Sequence, residues 1–118
     1  MLNIISSSRY KINRKLIKKT LNEVFTGYNL PDNAIINLVF IGKKKMRDIA
    51  VKYKQENVAL PVLSFAFDSR DKETHSESPY GEIFICYPQA VLLAAERQKK
   101  VDDMLTNLIK HGLDNILK

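Results

Sequence analysis

The chain has 118 residues, of which 45% are apolar and 27% charged, with one cysteine and a net charge of +6. That length fits one domain with one core, no run approaches the roughly 18 to 20 apolar residues of a membrane span, and a lone Cys86 rules out an internal disulfide framework. The N-terminal MLNIISSSRYK has its charges after a short apolar start, the reverse of a signal peptide, so a cytoplasmic, reducing setting is expected. The charge is uneven. Residues 1–54 hold twelve Lys and Arg against three acids, while 55–118 hold seven against ten. Such asymmetry raises the local potential for a polyanion such as RNA, or for an acidic membrane surface.

In chain order, residues 2–5 read as a short strand cut off by Ser6, Ser7 and Ser8, any of which can help cap the next helix. Over 10–25, Ile12, Leu16, Ile17, Leu21, Val24 and Phe25 recur at helical spacing, with Lys11, Arg14, Lys15, Lys18 and Lys19 on the polar arc. That arc is either a solvated face or a set of phosphate contacts. Gly27, Pro31, Asp32 and Asn33 form a turn cluster. Residues 34–41, AIINLVFI, are β-branched and nearly all apolar, as in a central strand covered on both faces. Gly42 breaks the strand, and helical spacing resumes over 43–54 through Met46, Ile49, Ala50 and Tyr53. Lys43, Lys44 and Lys45 open this helix, with Arg47 close behind. Cations there oppose the helix dipole by about 0.3 to 1 kcal/mol each, and a broken local rule hints at function.

QENVALP forms a loop closed by Pro61, and 62–67 is a strand with Ser64 inside it. Residues 68–79 are a polar excursion whose His75 reads as an exposed bystander. GEIFICYP supplies a strand over 82–87 in which Cys86 is a small core residue; Pro88 ends it and opens a helix over 90–97. The last helix, 101–118, carries Val101, Met104, Leu105, Leu108, Ile109, Leu113, Ile116 and Leu117 on one face, and Asp102 and Asp103 in its first turn where the dipole favours them. His111 falls at the border of that face. It can look into a groove, or pack there as a hydrogen-bonded structural residue. The order is β, α, β, α, β, β, α, α, an α+β pattern in a single domain over 1–118 with no internal repeat.

A resemblance runs through these elements. Phe40-Ile41-Gly42, Met46-Arg47 and Tyr53, Val62-Leu63-Ser64-Phe65-Ala66-Phe67-Asp68, Gly81-Glu82-Ile83-Phe84-Ile85-Cys86 and His111-Gly112-Leu113 resemble, in order and spacing, the successive landmarks of the YbeY family. The resemblance implies a four-stranded mixed sheet packed with helices. It also implies a metal-dependent endoribonuclease acting in ribosomal RNA maturation, with RNA, ribosomal RNA above all, or ribosomal proteins as partners and no membrane.

The departures matter as much. The family pattern HGxxHxxxxxH binds zinc through three histidines. His111 matches the first, Asn115 replaces the second, and the third would fall beyond Lys118, so neither a resident metal nor another cofactor is expected. The family usually has an arginine where Lys54 stands, Thr-Asp where Leu60-Pro61 stands, and aspartate where Glu82 stands. Lysine keeps the charge but loses the bidentate fork for phosphate. Cleavage without metal remains chemically open, because a neighbouring 2′-hydroxyl can attack phosphorus with His111 as acid or base, Lys54 as cation and Ser64 orienting a phosphate oxygen. Two readings stand. One is an endoribonuclease that is metal-independent or nearly so; the other is a binding module that keeps basic residues for RNA or a ribosomal partner and has no chemistry. In both, Lys43, Lys44, Lys45 and Arg47, with Lys11, Arg14, Lys15, Lys18 and Lys19, are the RNA-binding candidates.

Overall fold

Alternation along the strands decides how the molecule is layered. The computed structural model describes residues 2–5, 9–27, 35–66 and 81–117. Strands β1 (Leu2–Ile5), β2 (Ile36–Ile41), β3 (Val62–Ala66) and β4 (Gly81–Cys86) form a sheet in the order β1-β2-β4-β3. β1, β2 and β4 run parallel, and β3 pairs antiparallel with β4. This is the mixed four-stranded sheet expected, with β2 inside it. Because successive side chains in a strand take opposite faces, Ile36, Leu38, Phe40, Ile83 and Ile85 join one core while Ile41, Leu63 and Cys86 join another.

Among the described residues four helices cover the two faces unequally: α1 (Arg14–Phe25), α2 (Lys43–Lys54), α3 (Tyr87–Glu96) and α4 (Val101–Leu117). The first core takes Ile17 and Leu21 of α1, Ala90 and Ala94 of α3, and Met104, Leu105, Ile109, Leu113 and Ile116 of α4. The second takes only Met46 and Ala50 of α2, with Ala59 of the loop beyond. Met46 is fully buried, and removing a side chain of that size from water contributes about 1.5 to 3 kcal/mol. Among the described residues one amphipathic helix thus covers that face of the sheet.

Several boundaries differ from the expectation; β4 begins one residue early, at Gly81, α3 ends one residue early, at Glu96, and the larger shifts have identifiable partners. α1 begins at Arg14, not residue 10, because Asn13 caps it: its side-chain oxygen accepts from the Leu16 N–H at 3.1 Å. Tyr10 instead stacks on Tyr87, ring centroids 4.9 Å apart. The proposed serine caps, Ser6 to Ser8, lie outside the described residues. β4 stops at Cys86 and α3 starts at Tyr87, three residues earlier than expected, since Pro88 suits the first turn of a helix and the Tyr87 hydroxyl donates to the Lys11 carbonyl at 3.0 Å. β2 and β3 are seen over Ile36–Ile41 and Val62–Ala66; Ala34, Phe67, the turn cluster around Pro31 and the excursion containing His75 lie outside the described residues.

Candidate nucleic-acid interface

The expected catalytic residues come from three elements, α2, β3 and α4. Among the described residues β3 pairs with β4 alone, so its other edge carries no strand. Ser64 lies within β3, half-buried and opposite Ile83 in the ladder. Lys54 is the last residue of α2, exposed, and next to Tyr53, whose ring meets Phe65 of β3 edge-on at 5.2 Å. The helix ends there because Gln55 takes a left-handed conformation, φ 56°, that turns the chain back toward β3. His111 is exposed on α4, not packed into the core. Its neighbour Gly112 lies so close to the sheet that a Cβ would stand 3.0 Å from Ile83 Cγ2. Gly81 makes a second close approach, where a Cβ would meet Ile116 Cδ1 at 2.8 Å and the Phe65 carbonyl oxygen at 3.0 Å. Two glycines therefore let α4 lie down on β4 beside β3.

Lys54 and His111 nevertheless belong to helices on opposite faces of the sheet, and neither lines the large groove on the α2 face. That groove, about 640 Å³, runs between α2 and strands β3 and β4. Ile49, Tyr53, Phe65 and Phe84 supply apolar and aromatic surface, and Lys45, Asp48, Lys52 and Glu82 supply charge. Phe65 and Phe84 meet edge to face at 5.9 Å, continuing the contact from Tyr53. Lys52 Nζ lies 5.2 Å from the Tyr53 ring centroid. Sequence reasoning had passed over Lys52, Phe84 and Asp48. The signal for them was present in part: Lys45 and Lys52, seven apart, share one side of a helix, and Asp48 lies between them.

The basic residues divide between the two faces. Lys43, Lys44, Lys45 and Arg47 are exposed on the first turns of α2; Lys43 and Arg47 border a smaller pocket of about 380 Å³ with Asn57, Val58, Ala59 and Gln89. Lys11, Arg14, Lys15, Lys18 and Lys19 are exposed in and before α1, across the sheet. Arg14 Nη1 donates to the Ile4 carbonyl at 3.3 Å, which ties α1 to β1. The two groups do not form a single patch on one helix layer.

The donors described around His111 do not by themselves fit zinc. The position one turn after His111 holds Asn115, whose neutral amide oxygen is a poor ligand, and among the described residues no three His, Cys, Asp or Glu side chains converge. Cys86 offers no alternative nucleophile: it is fully buried, and burial pushes its thiol up, against smaller lowering effects of the Gln89 backbone N–H and the Lys43 charge.

Comparison with known proteins agrees with this fold and these landmarks. The family model described as Endoribonuclease YbeY matches residues 4–115. The chain belongs to the YbeY family. Among curated relatives of that name, the protein of Phytoplasma australiense is 26% identical over 83 residues, covering 70% of this chain and 58% of the relative. That of Dehalococcoides mccartyi strain CBDB1 is 25% identical, covering 98% and 78%, and that of Ureaplasma parvum serovar 3 is 27% identical, covering 91% and 67%. The solution structure of TM1509 from Thermotoga maritima superposes with a TM-score of 0.64 at 19% identity, over 96% of this chain and 69% of that one. The fold is thus shared at an identity where few side chains are.

Proposed function

We propose that this chain acts on RNA in ribosomal RNA maturation in the cytoplasm, as an endoribonuclease that works without resident zinc. The observation that supports the reading is that α4, which carries His111, lies close on β4 beside Ser64 of β3, while the Tyr53 ring next to Lys54 meets Phe65 on the other face of β3. An RNA strand passing β3, the end strand of the sheet among the described residues, can touch elements of both faces. His111 accepts the 2′-hydroxyl proton as that oxygen attacks phosphorus, and Lys54, on the other layer, holds a neighbouring phosphate of the strand. The P–O5′ bond breaks, the departing 5′-oxygen takes a proton from water and His111 returns its own proton to solvent, leaving a 2′,3′-cyclic phosphate and a 5′-hydroxyl. Ser64 orients a phosphate oxygen.

A second reading, an RNA- or ribosome-binding module without chemistry, draws on Asn115, which removes the partner imidazole one turn from His111. One experiment separates the two. Chelator-treated protein, checked by elemental analysis to hold well under one zinc per chain, is incubated with an unstructured single-stranded RNA beside His111→Ala and Lys54→Ala. The expected result is cyclic-phosphate ends from the unsubstituted chain and a loss of roughly 100-fold or more in His111→Ala, with RNA binding retained. Binding with no cleavage in any form would leave the binding module. Equal cleavage by His111→Ala, or one zinc per chain that survives dialysis, would overturn the assignment.

A further inference from the structure

The groove between α2 and strands β3 and β4 is not used by the proposed cleavage, and its composition is unusual for a surface left to solvent. Tyr53 is 57% exposed although it stands at the end of a run of rings, Tyr53 on Phe65 on Phe84. Folding alone gives no reason to place a large aromatic there. Glu82, half-buried, contributes a carboxylate to the same groove next to Phe65, its partner in the β3–β4 ladder. A carboxylate beside aromatic rings offers two acceptor oxygens to the N–H groups of a planar ligand. Lys45 and Lys52 stand about 10 Å apart along the helix axis, on either side of Asp48.

These features complement the parts of one nucleotide. A base has a π-face for the rings, N–H groups on its edge for a carboxylate, and phosphates on both sides for the lysines. An apolar protein side chain would meet the rings but leave Glu82 and both lysines without a role. The rim belongs to a helix with six basic residues against one acid, so the field around the groove favours a polyanion despite Asp48 and Glu82.

We propose that this groove is a subsite for one unpaired nucleobase of single-stranded RNA, stacked against Tyr53 and Phe65, donating to Glu82, with its flanking phosphates on Lys45 and Lys52. The inference rests on the RNA reading above but not on cleavage. Guanine, which presents imino and amino N–H groups side by side, suits a carboxylate best; uracil offers a single N–H.

The full chain, titrated with GMP, UMP and ribose 5-phosphate while the ring resonances of Tyr53, Phe65 and Phe84 are followed by NMR, tests the site directly. GMP is expected to shift all three rings, UMP to bind several-fold more weakly, and ribose 5-phosphate to leave the rings unmoved. Glu82→Gln, which keeps size and fold, is expected to erase the preference for GMP. In anisotropy titrations with an unstructured ten-nucleotide RNA, Tyr53→Ala, checked by circular dichroism, weakens binding about tenfold. Ribose 5-phosphate moving the rings as GMP does would overturn stacking. Unchanged RNA affinity in Tyr53→Ala would remove the groove while leaving the RNA reading in place, whereas no RNA binding by the unsubstituted chain would sink that reading itself. Ring shifts with N-acetyl-phenylalanine amide and none with nucleotides would assign the groove to a protein partner.

Discussion

Cys86 closes β4 with no solvent exposure, beside the chain reversal into α3, and its thiol is pushed above its ordinary value of 9.0 chiefly by burial. The folded state therefore holds the thiol proton more tightly than the unfolded chain does. Stability from this source is fully present below pH 9.0 and is lost as pH rises past it, because the unfolded thiol ionises first. Urea unfolding from pH 8 to 10 should show a falling midpoint, and Cys86→Ala should flatten the part of that slope due to the thiol, whatever its cost at neutral pH. A slope unchanged by the substitution would mean that other groups carry all of it. His111 and Asn115 make the opposite point at the same scale. Both could be read from the sequence, yet exposure at His111 and the close packing of Gly112 on Ile83 came only from where α4 lies.

The two basic helices look alike in the sequence and differ in position. α1 packs into the core shared with α3 and α4, while α2, which ends at Lys54, is the helix among the described residues that covers the other face, beside the groove. If RNA binds on the α2 side, replacing Lys43, Lys44, Lys45 and Arg47 by Ser should weaken it strongly and flatten the dependence of log affinity on log salt by up to about 3. The matching replacement of Lys11, Arg14, Lys15, Lys18 and Lys19 should do much less. Equal losses from both sets would indicate an RNA wrapping the sheet edge, and losses only from the α1 set would refute the α2 interface. The first turn of α2 also lacks a side-chain cap, since Gly42 has none to offer, and its three lysines oppose the dipole. Removing them should therefore not destabilise the helix, so a loss of affinity reports binding.

At the scale of the whole molecule, both cores share the same strands. β2 and β4 give alternate residues to each, so neither face can come apart without exposing the other. A single unfolding transition is the consequence. Far-ultraviolet dichroism and tyrosine fluorescence should lose signal at one urea concentration, with a slope of about 1 to 3 kcal/mol per molar. Separate midpoints would show α2 leaving its face independently of the rest. No helix among the described residues is long and apolar enough to cross a membrane.

The elements were legible because helices and strands are local: spacing alone predicts 43–54 as a helix and 2–5 as a strand, and α2 and β1 have those bounds. The start of α1 was not, because Tyr10 is held by Tyr87, far along the chain, and the helix waits for Asn13. Period-two alternation tells that a strand has two faces. It does not say which helix covers which. That choice, which sets the lysines of α1 and α2 on opposite layers, belongs to packing across the whole chain. The family landmarks around Ser64, Lys54 and His111 were readable as residues, but the placing of β3 at one end of the described sheet depends on the β1-β2-β4-β3 order. The groove depends on it still more. Tyr53, Phe65 and Glu82 become neighbours only when β3 pairs antiparallel with β4 in the register that sets Phe65 against Glu82 and α2 lies across both, and no local pattern encodes that register.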